Sequence, residues 1–560
     1  MSNQISGARY LAESLVNCGI DHVFFIDAIL RRTLIELEEL GVKRMLTHSE
    51  KAAAYMADGY ARVRNGVGVC MAQSVGAANL ASGLQDAYLH RAPVVALTGR
   101  KLPAFQYRNA YQELEHAPLF QPVTKFQANV DTIEQLPLML AQAMREATEG
   151  TPRPAHLDFA GLQAEAIESA LLTDPASPAA ALAELNRHRM RAPAEEISAA
   201  AQRLAAANKP VMVVGTGAMQ SGAQEAVVAL AQNLNLPIAT SLGGRGIVPT
   251  THPLHIGVVG TYSAPVTNQL VHEADTVLFV GSHTGDQVTN NWTVPGPDTT
   301  IIQIDVDGRE IGRNYSGVTG ICGDPKLALE DLAAELTSAP AAWADWASDA
   351  RARFDTWWAT RDALRQSSDM PLHVDRLCHS LSERLPEDGI LVADTGYSGI
   401  WTGTMVELRH PTQTYLRAAG SLGWAFPAAM GAKCAAPDRP VMVFCGDGAF
   451  YYHLAELETA RRMGLALVVV VNNNAGFGQG LYRVRAMQGE RPGNPDELLM
   501  HGPTNFADVA RAFGCEGIRV EQHDEIDSAL ERALAMRAPV VVDVATSMDS
   551  RAPDAWSPGQ

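Results

Sequence analysis

The chain has 560 residues, too many for one hydrophobic core, and a length prior of about 150 residues per domain predicts three or four units. Its 44 basic and 62 acidic side chains leave a formal charge of −18, which argues against a nucleic-acid partner or an anionic membrane surface while leaving room for a local pocket that takes a small anion. The 47% of hydrophobic residues is ample for globular cores.

In chain order, the first block, about 1–170, offers HVFFI, GVCMA, PVVALTG and AHLDFAG as strands separated by helical stretches. A Pro/Ala-rich passage, TDPASPAAALAELNRHRMRAPAEE, links it to a second block, about 190–340, where PVMVVGTGA, PIATS, TVLFVGS and IIQIDVD repeat the alternation. A further Ala/Pro stretch, TSAPAAWADWA, leads to the third block, about 365–550, and the chain closes on the polar tail RAPDAWSPGQ, read as a loose end or a small lid. Strand and helix alternating throughout predict an α/β protein of three doubly wound parallel-sheet domains, the central one Rossmann-like. The cysteines, Cys18, Cys70, Cys322, Cys378, Cys434, Cys445 and Cys515, are scattered without a CxxC spacing and read as reduced thiols. The first residues lack the basic-then-apolar order of a signal peptide, and no apolar run approaches the ~20 residues of a membrane span, so a cytoplasmic location is expected.

The third block carries the chemistry. Pro440 to Cys445 reads as a buried strand that delivers Asp447 into the tight turn Gly446-Asp447-Gly448. There the glycines let backbone N–H groups approach phosphate oxygens while the carboxylate binds a cation. A helix with Leu454, Leu457, Ala460 and Met463 on one face follows, then the strand ALVVVV and the pair Asn473-Asn474, whose amide oxygens are placed to complete a coordination shell. Oxygen donors of this kind suit Mg²⁺, which keeps water and phosphate among its ligands.

This arrangement of GDG, helix, strand and NN resembles the signature of thiamine diphosphate (ThDP) enzymes. The resemblance implies that Asp447, Asn474 and the Gly476 carbonyl bind Mg²⁺, and that Gly446, Gly448, Ala449 and Phe477 lie against the cofactor. THSEKAAAYMADGYAR (Thr47 to Arg62) resembles the family stretch whose acidic residue activates the coenzyme, which puts Glu50 in that role. Thr395, Gly396, Tyr397 and Ser398 match the diphosphate contacts after the strand ILVAD. GSLGWAFPAAMGA matches the pyrimidine-binding segment, with Leu422 as the wedge that bends the cofactor and the Gly420 carbonyl as acceptor for its amine. The resemblance, to the acetolactate synthase and pyruvate oxidase type, covers essentially the whole chain: a pyrimidine-binding domain (1–170), a central domain (190–340) and a diphosphate-binding domain (365–550). It implies active sites shared between subunits of a dimer or tetramer, a small-molecule substrate, and a C–C bond made or broken beside a carbonyl.

Two regions depart from the family or leave choices open. The family's glycine-rich loop after the first strand is replaced by VFFIDAILRRTL, where Ile29 and Leu30 either line the substrate space or are core residues. The GTGA turn (Gly215 to Ala218) and IDVD resemble positions that hold FAD or ADP in some relatives, but a tight strand-to-helix turn explains them equally well. Matching by position makes Gln73 and Gln112 candidate catalytic residues and adds Tyr111, Gln479 and Glu490 as candidate substrate contacts, whereas His48, His116 and His453 read as ordinary structural histidines. The expected donor is a 2-oxo acid or 2-hydroxy ketone. The alternatives are a 2-hydroxyacyl-CoA lyase, a cyclic 1,2-diketone hydrolase, and a non-catalytic binding protein on the same fold.

Overall fold

The computed structural model describes residues 4–173, 180–185 and 187–559; residues 174–179 of the first linking passage lie outside the described residues. Three six-stranded sheets occupy 22–160, 210–322 and 390–545, and every pairing within them is parallel. Strands such as Val468–Asn473 (VVVVNN) and Val540–Ala545 (VVVDVA) are buried almost throughout, because a parallel sheet carries helices on both faces and leaves no wet side. Numbering the six strands of each sheet in chain order, the first and third sheets share the order 2-1-3-4-6-5, and the central one runs 3-2-1-4-5-6, that of a dinucleotide-type doubly wound domain. Gln4–Ser6 pairs antiparallel with Leu171–Thr173 and ties off the first unit.

Three local readings change in the structure. The Ala/Pro stretch before the third block becomes the helix Ala341–Ala359, because Trp343 and Trp346 bury their rings and donate their indole N–H groups to the carbonyls of Ala207 and Pro210. The helix expected across Leu454 to Met463 is shortened to Glu456–Arg462, behind a short turn at Tyr451–His453. The C-terminal tail is docked: the Trp556 carbonyl accepts from Asn268 and Asn290, and its ring meets His272 edge-on.

The contact that orients the first and third domains is a crossing of Glu50–Arg64 with Ala425–Ala435. Ala53, Ala57, Ala428 and Ala432 are fully buried. The backbones approach so closely that a Cβ on Gly59 would overlap the Ala428 carbonyl and one on Gly431 the Met56 carbonyl. In an unobstructed helix, Gly→Ala stabilises by about 1 kcal/mol. Here the overlap reverses the sign, and Gly59→Ala is expected to cost about 1–3 kcal/mol in urea denaturation. Gly502→Ala, which meets nothing within 4 Å, serves as the control; equal stability of both variants would contradict the close crossing.

Candidate active site

The strand Val441–Gly446 ends at the carboxyl edge of the third sheet and hands Asp447 to a single buried turn of helix. Asp447 is 1% exposed. One carboxylate oxygen accepts the Gly448 N–H at 2.7 Å, and the other accepts the N–H groups of Asn474 at 3.1 Å and Gly476 at 3.2 Å. Burial pushes its carboxyl pKa up, against the pull of these amides and of His501, whose Nε2 lies 3.7 Å away. A Cβ at 448 would overlap the Phe477 ring and force it to move.

The paired asparagines part company, as alternation along a strand demands. Asn473 turns inward and its amide donates to the Thr504 carbonyl and to Asp543, both at 2.8 Å. Asn474 turns to the cavity, where its Oδ1 is buried and has no hydrogen-bond partner among the described residues. Ala475 then takes a left-handed turn (φ 61°), and Gly476 bridges to Met500 through bonds that flank it, Phe477 N–H to the Leu499 carbonyl and His501 N–H to the Ala475 carbonyl. The Gly476 carbonyl stands outside that pairing.

A second wall comes from the strand Ile390–Ala393 and the helix Tyr397–Thr404. Gly396 precedes that helix at φ 66°, ψ −140°, a backbone state open to glycine, and no side chain caps the helix, whose first residues, Tyr397 and Ser398, line the cavity. Buried Asp394 joins this wall to the next: it accepts the N–H groups of Thr395, Gly423 and Ala425 at 2.9–3.0 Å, and burial pushes its pKa up to about 6. Immediately before the Gly423 anchor, Leu422 forms the third wall. The result is a cavity of about 320 Å³ whose lining includes Thr395, Gly396, Tyr397, Ser398, Leu422, Gly446, Asp447, Gly448, Ala449, Asn474, Gly476, Phe477 and Gln479. Tyr262 closes one side from the central domain, with its hydroxyl 3.5 Å from the Gln479 amide nitrogen.

The remaining sequence-predicted residues lie elsewhere. Gly420 is exposed beside the cavity, outside its lining, and Glu490 sits on an exposed loop. Ile29 and Leu30 are fully buried in the first domain's core, in a loop where Ala28 (φ 74°) and Leu30 (φ 47°) hold the left-handed backbone that glycine would adopt freely. Glu50, Gln73, Tyr111 and Gln112 form a separate group at the carboxyl ends of the first sheet. Glu50 opens its helix beside Gly76 and accepts from the Asn79 amide at 3.2 Å; the Ser74 hydroxyl donates to the Gln112 carbonyl; Tyr111 is 76% exposed. The histidines are engaged in structure: His48 with Glu458, His453 edge-on to Tyr55, and His116 in a buried cluster with His156 and Asp158 whose centre is filled by the Thr98 hydroxyl.

Sequence reasoning missed Asp394, Tyr262 and His501. Asp394 was visible as an acid ending the strand ILVAD; the other two are brought in by distant segments and carried no local signal. A second cavity, about 330 Å³, opens at the carboxyl edge of the central sheet, lined by Gly215, Gly217, Gly281, Ser282, Asp305 and Arg91.

Three family models match the chain in order: "Thiamine pyrophosphate enzyme, N-terminal TPP binding domain" over residues 5–119, "central domain" over 197–332, and "C-terminal TPP binding domain" over 394–544. The acetolactate synthase large subunit of Corynebacterium glutamicum is 30% identical over 566 residues, covering 98% of this chain and 88% of that one. The probable acetolactate synthase large subunit of Methanocaldococcus jannaschii is 29% identical, with 96% and 92% covered, and the isozyme 2 large subunit of Escherichia coli is 29% identical, with 96% and 95% covered. Three matched domains in one order, with near full-length relatives, lead to one conclusion: the chain belongs to the thiamine diphosphate-dependent enzymes of the acetolactate synthase and pyruvate oxidase superfamily.

Proposed function

We propose that this enzyme uses ThDP and Mg²⁺ to form or cleave a carbon–carbon bond beside a carbonyl, with joining of 2-oxo acids as the principal reaction. The observation that carries the metal and diphosphate assignment is the pairing, in one cavity, of a buried carboxylate, Asp447, with a buried amide oxygen, Asn474 Oδ1, that has no partner among the described residues. A buried acceptor left bare costs about 1–3 kcal/mol unless something supplies the missing bond, and a hard cation does so. Both donors are oxygen, the preference of Mg²⁺, and the carbonyl of Gly476, which also lines the cavity, would add a third. The relatives named as acetolactate synthases support the choice of 2-oxo acids.

Bound there, ThDP supplies a thiazolium carbon that adds to a carbonyl and accepts the electrons of the bond being broken. The chain's residues bind, orient and protonate. Asp447, Asn474 and Gly476 would hold the metal, and the uncapped start of Tyr397–Thr404 offers N–H groups and the Ser398 hydroxyl to the diphosphate. Leu422 shapes the cofactor's seat. Glu50 would exchange a proton with the pyrimidine ring. Since it stands outside this cavity among first-domain residues, we assign it to the cavity of a second copy, in a dimer or tetramer. Gln73 and Gln112 accompany Glu50 and would hydrogen-bond the substrate carbonyl, with Gln479 facing them from the metal side. The central cavity, with its glycine turns at 215–217 and 281, suits an adenine nucleotide such as FAD or ADP.

Asp447→Ala is expected to abolish Mg²⁺-dependent retention of ThDP on gel filtration; unchanged retention would remove this residue from the metal site. Glu50→Gln is expected to keep ThDP binding while lowering turnover of pyruvate about 10²–10⁴-fold. Wild-type protein that binds ThDP and Mg²⁺ yet leaves every 2-oxo acid unchanged would overturn the substrate assignment.

A further inference from the structure

Ala419, Gly420 and Ser421 point three successive backbone N–H groups at one carboxylate, and that carboxylate belongs to a different domain. Asp86, fully buried in the helix Gly76–His90, accepts Ala419 N–H at 2.9 Å, Gly420 N–H at 3.3 Å and Ser421 N–H at 3.1 Å. Arg62, whose guanidinium also forks onto Asp58 at 2.6 and 2.7 Å, donates to Asp86 at 2.9 Å and to the Arg417 carbonyl at 2.7 Å, and lies 4.4 Å over the Trp424 ring. The Trp424 indole N–H donates in turn to Asp58 at 2.8 Å. The segment from Arg417 to Trp424 is thus gripped from both ends by first-domain helices of the same chain, and Leu422 rides within it.

Peptide geometry turns this grip into a direction. The N–H and C=O of a trans peptide lie in one plane and point opposite ways. Anchoring the Ser421 N–H on Asp86 therefore aims the carbonyl of the same peptide unit, that of Gly420, away from Asp86. Among the described residues no atom lies within 4 Å of where a Gly420 Cβ would be, and the Gly420 and Ser421 N–H groups hold this peptide against Asp86.

We propose that Asp86 is a positioning residue: from the first domain it fixes the direction of the Gly420 carbonyl and the seat of Leu422 in the third-domain cavity of its own chain. The inference rests on the ThDP reading of that cavity, in which this carbonyl receives the pyrimidine amine. A bare domain-to-domain tie would need the charge pair but not three consecutive amides on one carboxylate.

The test is titration of ThDP in saturating Mg²⁺, followed by intrinsic fluorescence and by the near-ultraviolet circular dichroism of the bound cofactor, for wild type, Asp86→Asn, Asp86→Glu and Gln85→Ala. Gln85→Ala removes a bond from the same interface, to the Ser421 hydroxyl at 3.1 Å, without touching the three amides, and is expected to bind as wild type does. Asp86→Asn, isosteric but with an N–H₂ in place of one acceptor, is expected to weaken ThDP about tenfold, the scale of one hydrogen bond to a charged group, to alter the dichroism of the bound cofactor and to lower kcat more than it raises the substrate KM. Where the Asn variant fails to fold, Asp86→Glu keeps the charge and displaces the loop, with the same loss expected. Either folded variant binding ThDP with wild-type affinity and dichroism, whatever its thermal stability, would overturn the positioning role. Wild-type protein that binds no ThDP would overturn the cavity reading and this proposal together, whereas normal wild-type binding beside unaffected variants would overturn this proposal alone.

Discussion

The arrangement depends on how closely two helices pass, Glu50–Arg64 of the first domain and Ala425–Ala435 of the third, with Gly59 and Gly431 at the contact. Only glycine permits backbone to lie on backbone there, and the alanines on either side extend the fit into a dry seam. The crossing commits one face of the first-domain helix to its own chain and brings Asp58 and Arg62 under the loop that carries Leu422. Glu50, at the opposite end of that helix, stays beside Gly76 and Asn79. One rigid element thus stabilises the cavity of its own chain while presenting its acid elsewhere.

Buried carboxylates hold the loops of the third domain in place. Asp86, Asp394 and Asp447 each accept backbone N–H groups from segments far away in sequence, and Asp543 accepts from Asn473 and the Phe506 N–H in the same manner. Taking a carboxylate out of water is costly, and the cost is offset only when several donors are fixed in place around it. The same requirement makes the arrangement rigid: a loop that moved would strip a buried charge of its donors. The proposed metal-bridged cofactor would need walls that do not relax when it binds, and the peptide N–H groups held on these carboxylates supply such walls.

How much was legible in the sequence follows from how local each signal is. The strand, GDG turn and NN pair lie within 35 consecutive residues, and the structure places Asp447 and Asn474 in one cavity as that spacing suggests. Three parallel sheets were readable from the alternation of apolar runs and helices; the shared strand order of the first and third sheets was not, because order is set by crossover connections that leave no trace in periodicity. Asp86 and Arg62 sit in Ala-rich helices where a charged residue ordinarily reads as solvated, and only their tertiary partner, the 417–424 loop, reveals them as buried. Asn473 and Asn474 looked equivalent until the pleat assigned one to Asp543 and the other to the cavity. The replaced glycines near Ile29 raised a question about pocket shape, and the structure puts both Ile29 and Leu30 in the core of this chain.

A division of each active site between two copies is tested most directly by coexpressing chains that carry Glu50→Gln with chains that carry Asp447→Ala, each under its own affinity tag, and assaying the doubly purified hybrid. Each variant alone is expected to lose most or all turnover, whereas under the proposed division a hybrid dimer regains one intact site, formed by Glu50 of one chain and Asp447 of the other. The predicted result is about half the wild-type turnover per hybrid dimer, as two-fold symmetry requires. A hybrid that forms, retains ThDP at its intact metal site and shows no turnover would contradict the division and place Glu50 and Asp447 in the same chain's site.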